Sequence, residues 1–169
     1  MRLISFLLNN TACYGAVHGN KVLNLTPILG ATAPDLKTLI AKKMFAQAAD
    51  ALSKNAPDLN FDDLSLLPVI PNPEKIMCVG LNYHDHVKET GRELTEKPAI
   101  FSRVNASQVG HGQDIMRPPE SHRLDYEGEI AIIIGEGGRR ISEADAWKHI
   151  AGYSCYNDGS VRDWQNFTT

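Results

Sequence analysis

The segment "LDYEGEIAIIIG", residues 124–135, constrains this chain more than any other. Residues 130–134 are apolar and almost all β-branched, and Gly135 stops the run, which predicts a strand buried on both faces. Side chains alternate along a strand, so Glu127, Glu129, Ala131 and Ile133 share one face, with successive Cβ atoms roughly 6–7 Å apart. Two carboxylates facing a buried region repel each other and lose hydration, so each must take a proton or share a cation. On spacing alone, the acidic edge of a solvated strand end is the plainer account of the pair.

The rest of the chain narrows the setting. Its 169 residues suffice for one large domain, or a small and a medium one, and 43% hydrophobic with 22% charged residues is the balance of an ordinary globular protein. A formal charge of −3 with no basic patch argues against nucleic-acid and anionic-membrane partners. No apolar run is long enough to span a membrane. The opening "MRLISFLLNN" is cut short by Asn9 and Asn10 before a signal-peptide core could form, so a cytoplasmic location is expected. Cys13, Cys78 and Cys155 are odd in number and lie in strand-like sequence, which favours buried free thiols over disulfides or a zinc site.

"RLISFLL", "ACYGAVHGN" and "KVLNL" read as three short strands, with Gly19-Asn20 as a two-residue hairpin turn. Thr32 with Asp35 forms a capping box, and Leu36, Leu39, Ile40, Met44, Ala48 and Leu52 follow helical spacing. The proline-rich "LLPVIPNPEK" reads as an extended linker, which puts a boundary within residues 67–75 and divides the chain into 1–68, a small β/α domain, and 69–169. The second part opens with the strand "KIMCVGLNY" and a short helix over 84–90. A long loop over 105–123 and the Glu127 strand follow. Ser142 with Asp145 caps a helix over 143–150, which Gly152 ends before "YSCYNDGSVRDWQ".

An all-oxygen site for a hard divalent cation needs about three carboxylates. Asp158, which follows the strand-like "GYSCY", and Asp163 are the candidates to join Glu127 and Glu129. In "NYHDHVKE", His84 and His86 form a His-x-His pair of the kind that binds zinc. If the segment is helical, His86 and Glu89 instead share a face, where the carboxylate can orient the imidazole as a general base; an incidental surface pair explains the spacing as well. "GHGQ" and "EGGRR" lack the strand-to-helix context of a phosphate loop, so nucleotide binding is not expected.

Three segments, "KIMCVGLNYHDHVKE", "LDYEGEIAIIIG" and "NDGSVRDWQ", occur in an order that resembles the signature of the fumarylacetoacetate hydrolase family over residues 75–165. The resemblance implies an α+β fold, a large mixed β-sheet roll with a small N-terminal domain. It implies Glu127, Glu129 and Asp158 as ligands of Mg2+ or Mn2+, with Ca2+ as a further option, and His86 with Glu89 as a water-activating dyad. Arg162 and Gln165 match substrate-holding residues, and Arg103 could bring a second cation toward an acidic substrate; a salt bridge to Asp163 or Glu143 is the competing role for Arg162. The implied substrate is a small acidic 2-oxo acid, and the implied state is a homodimer. The implied reaction is C–C hydrolysis of acylpyruvates or diketo acids, as in aromatic catabolism, through an enolate that the cation stabilises; decarboxylation or isomerisation by the same site is the alternative. The family also uses a downstream lysine and later strands that have no counterpart before Thr169, so only the first part of the roll is expected. A non-catalytic metal-binding or interaction module is the remaining reading.

Overall fold

The computed structural model describes residues 1–89, 91, 96–165 and 167, with the backbone alone at residues 86 and 89. The chain divides into two compact units, Met1–Val69 with Val109–Thr169, and Ile70–Gln108.

In the first unit, β1 (Arg2–Leu8), β2 (Thr11–His18) and β3 (Lys21–Asn24) form an antiparallel meander. Asn9 and Asn10 join the first two strands with φ of 50° and 61°. A two-residue hairpin whose twist matches its strands needs positive φ at both positions, and Asn accepts that conformation better than most residues. Gly19, with φ 59°, opens the second turn, as expected from the sequence. Helices α1 (Thr26–Leu29), α2 (Leu36–Ala41) and α3 (Phe45–Lys54) follow, then β4 (Leu59–Asn60) and β5 (Ser65–Leu66), which complete a sheet of order β4-β3-β2-β1-β5.

The core holds Phe6, Tyr14, Val22, Leu25, Leu36 and Leu39, all buried. The Tyr14 hydroxyl donates to the Ala33 carbonyl at 2.7 Å, so the ring is buried without stranding its polar end. The capping residue of α2 is Asp35, whose carboxylate accepts from Thr38 N at 2.7 Å. The expected Thr32 cap is therefore corrected: the helix starts three residues later, where an acceptor can reach a free amide of its first turn.

The second unit pairs β6 (Ile76–Gly80) with β7 (Ala99–Arg103), and α4 (His84–Glu89) lies between them in sequence. The short helix expected over 84–90 is thus present up to Glu89, and Thr90 falls outside the described residues.

Back in the first unit, Gly110 has no room for a Cβ beside the Leu66 carbonyl, so the loop backbone lies directly on the end of β5. The loop leads to β8 (Leu124–Asp125) and β9 (Gly128–Ile134), then β10 (Ile150–Asn157), β11 (Ser160–Val161) and α5 (Arg162–Gln165).

Three expectations fail here. The strand over 130–134 is not buried on both faces: Ile130, Ile132 and Ile134 are 73%, 54% and 60% exposed, while Ala131 and Ile133 are half-buried. β9 pairs with β10 alone among the described residues; that pairing covers an edge of the strand and not a face, and burial on both faces needs a packed layer on each side. The helix over 143–150 is a 3₁₀ segment, Glu143–His149, capped as expected by Ser142 Oγ, which accepts from Asp145 N at 3.2 Å. Gly152 does not terminate it; it lies within β10 opposite Ile133, next to a bulge that shifts the register.

Candidate functional site

The site is built on one long antiparallel ribbon. Val161 pairs with Leu124 and Ser160 with Asp125, and the same alignment resumes with Asn157 opposite Gly128 and Tyr156 opposite Glu129. Glu127 and Asp158 occupy the break between these ladders. Asp158 N donates to the Glu127 carbonyl at 2.9 Å and keeps the two chains in step. The Asn157 side chain accepts the Glu127 N–H at 3.0 Å, a bond that the interrupted ladder does not supply. Residues directly opposite across an antiparallel pair share a face, so Glu127, Glu129, Asp158 and Tyr156 lie on one side of the ribbon.

Arg162 closes this side. Its amide donates to the Arg123 carbonyl at 2.9 Å, which sets the first turn of α5 beside β8. From there Nε reaches Asp125 Oδ2 at 3.0 Å, and Nη1 reaches Glu127 Oε1 at 3.0 Å and Gln165 Oε1 at 3.2 Å. Of the two partners expected for a purely structural Arg162, neither Asp163 nor Glu143 is used in these pairs. Asp163 is engaged elsewhere, accepting from the Ser121 hydroxyl at 2.8 and 3.0 Å and from Trp164 N at 3.1 Å. Ser121 is 1% exposed, and its oxygen also accepts from Arg123 N at 3.0 Å. The end of the 105–123 loop is therefore pinned to the turn that carries Arg162.

The donor set suits a hard divalent cation: three carboxylates, all oxygen, on one side of the ribbon, with Asp158 only 2% exposed. By chemistry and by backbone placement these residues fit such an ion. Their side chains are not gathered, however: among the described residues no three His, Cys, Asp or Glu converge as a metal-holding group, and Glu127 is turned toward Arg162.

The remaining candidates belong to the other unit. His86 and Glu89 lie in α4, three residues apart, and their side chains fall outside the described residues. His84 is exposed on the same helix, and Asp85 pairs with Lys88 at 3.8 Å. Arg103 ends β7 with its guanidinium 5.7 Å from the centre of the Phe101 ring.

Asp125, Asn157 and Ser121 also help build the site, beyond the residues expected from the sequence. Asp125 could have been found, because the two-residue spacing of Glu129 and Glu127 continues back one step to it. Asn157 and Ser121 had no such signal.

Fold and site together define an α+β protein with a carboxylate-rich site, bridged by an arginine, at a break in an antiparallel ribbon. A family model described as fumarylacetoacetate (FAA) hydrolase C-terminal matches residues 75–168, and the chain belongs to the fumarylacetoacetate hydrolase family. It is 43% identical over 118 residues to "Oxaloacetate tautomerase fahd2, mitochondrial" of Xenopus laevis, covering 70% of this chain and 37% of that protein. It is 35% identical over 151 residues to "Oxaloacetate tautomerase FAHD2A, mitochondrial" of Homo sapiens, covering 88% and 48%. In structure it resembles maleylpyruvate hydrolase from Sphingobium sp. SYK-6, solved with manganese(II) and pyruvate, with a TM-score of 0.77 and 26% identity over 96% of this chain and 60% of that one. The chain thus spans about half the length, or less, of the curated relatives it matches. No helix among the described residues is long and apolar enough to cross a membrane.

Proposed function

We propose that this chain carries the cation-binding part of an enzyme that acts on a small 2-oxo acid by enolate chemistry. The observation that supports it is the backbone register that sets Glu127, Glu129 and Asp158 on one side of the ribbon, with Arg162 paired to Glu127 and Gln165. Glu127, Glu129 and Asp158 would hold the divalent cation. Magnesium or manganese suits the donors, and the manganese in the Sphingobium structure supports that choice. Such an ion supplies Lewis-acid stabilisation of the negative charge that develops at the 2-oxo group. Arg162 offers a planar fork for a substrate carboxylate, and Gln165 adds an amide within reach of the same guanidinium. His86, with Glu89 as its orienting partner, would move the proton: from water in hydrolysis of an acylpyruvate, or between carbon and oxygen in keto–enol tautomerisation.

Hydrolysis needs a placed water as well as the base, whereas tautomerisation needs the base alone. The oxaloacetate tautomerase names of the relatives at 43% and 35% identity favour tautomerisation as the second reading. The test is to measure, in the full-length protein with manganese, both pyruvate release from an acylpyruvate and the ultraviolet signal of oxaloacetate enol. His86→Ala should lower whichever rate is present by roughly 10²–10⁴ and leave manganese affinity intact, while Glu129→Gln should weaken that affinity by well over tenfold, with about 1.4 kcal/mol for each decade. Unchanged manganese binding in Glu127→Gln, Glu129→Gln and Asp158→Asn alike would remove the carboxylates from the reading.

A further inference from the structure

The charged contacts of Arg162 with Asp125 and Glu127 have opposite consequences for the site. Its hold on Asp125 anchors the guanidinium; its hold on Glu127 takes one oxygen of a carboxylate that the cation would need. The side chains of Arg162 and Glu127 are 28% and 24% exposed, so water screens this pair less than it screens a surface ion pair. The Asp125 side chain, at 48% exposure, is the better solvated partner.

We propose that Arg162 is a displaceable lock on Glu127: the guanidinium competes with the divalent cation for this carboxylate, and a substrate carboxylate releases it. This rests on the cation-site reading above and adds a coupling to it. The geometry provides the means. Arg162 is tethered at its backbone to Arg123 and at Nε to Asp125, so Nη1 can leave Glu127 without the whole side chain leaving the site. An arriving anion offers Nη1 the same oxygen chemistry that Glu127 gives it now. Glu127 is then free for the cation. Cation and 2-oxo acid would therefore each raise the other's affinity, as linkage requires of any two ligands that favour one state. A neutral carbonyl compound could not turn the lock, which makes Arg162 a determinant of specificity for acids.

The experiment is titration calorimetry of Mn2+ into the full-length protein, with and without pyruvate. In the absence of pyruvate, Arg162→Gln should bind Mn2+ about three- to tenfold more tightly than the unaltered protein, the range expected for loss of one partly screened ion pair. Removing a positive charge also strengthens cation binding through space, so Arg162→Lys is measured beside it. The lysine keeps the charge but loses the fork that spans Asp125 and Glu127, and it should still bind Mn2+ more tightly than the parent. Pyruvate can chelate the ion directly, so some coupling should persist in both variants. It should be smaller than in the parent by the same three- to tenfold. Equal or weaker Mn2+ binding in Arg162→Lys, whatever Arg162→Gln shows, would overturn the lock while leaving the carboxylate site standing. Absence of Mn2+ binding in the unaltered protein would instead overturn the site itself, and the lock with it.

Discussion

Replacing Ser121 by Ala tests whether the turn that carries Arg162 is held by the buried hydroxyl. Ser121 Oγ donates to both oxygens of Asp163, at 2.8 and 3.0 Å, and accepts from Arg123 N at 3.0 Å. The substitution removes one charge-assisted hydrogen bond, worth about 1.5–3 kcal/mol, and leaves the Arg123 amide to find water. Arg123 is exposed, so that second cost is small. The loss should appear as local opening rather than global unfolding, because α5 is a single turn of four residues. The reporter is the Arg162 amide, which donates to the Arg123 carbonyl at 2.9 Å. At about 1.4 kcal/mol per decade, its hydrogen-exchange rate should rise roughly tenfold to a hundredfold. Asp163→Asn should produce part of the same effect, and in the double variant the two losses should not add, since they break one shared interaction. An Arg162 amide that exchanges within a factor of two of the parent in Ser121→Ala would refute the reasoning.

Tyr14→Phe should cost about 1–3 kcal/mol in urea unfolding of the N-terminal sheet, because the buried Ala33 carbonyl loses its donor. Burial, and secondarily the Asp35 carboxylate, push the Tyr14 hydroxyl above its ordinary pKa of 10.0. Its contribution is thus fully present below about pH 10 and lost as pH rises through the raised folded value, a decline that Tyr14→Phe should lack. Ile132→Lys, at a residue 54% exposed on the open face of β9, should reduce light scattering of the concentrated 169-residue chain without loss of helical or strand signal; unchanged scattering would show that this face does not drive association.

Local chemistry determined much of this protein in the sequence alone. The three N-terminal strands and the glycine-first turn follow from alternation and backbone preference, which depend only on neighbours in the chain. The same holds for the Ser142 cap and for the two-residue spacing of Glu127 and Glu129. The paired asparagines at 9 and 10 also carry a local signature, because Asn accepts the positive φ that both adopt.

Tertiary structure decided what depends on distant partners. The burial of 130–134 could not be read from its composition, because a β-branched run looks the same whether a second layer covers it or not. Likewise, nothing local tells Asp163 from Asp158: one accepts a buried serine hydroxyl from a loop 42 residues away, and the other is aligned with Glu127 by a cross-strand hydrogen bond. The partners of Arg162 were set in the same way. Its sequence neighbours include Asp163, but the antiparallel register brings Asp125 and Glu127 to it, and a charged side chain pairs with what the backbone places within reach.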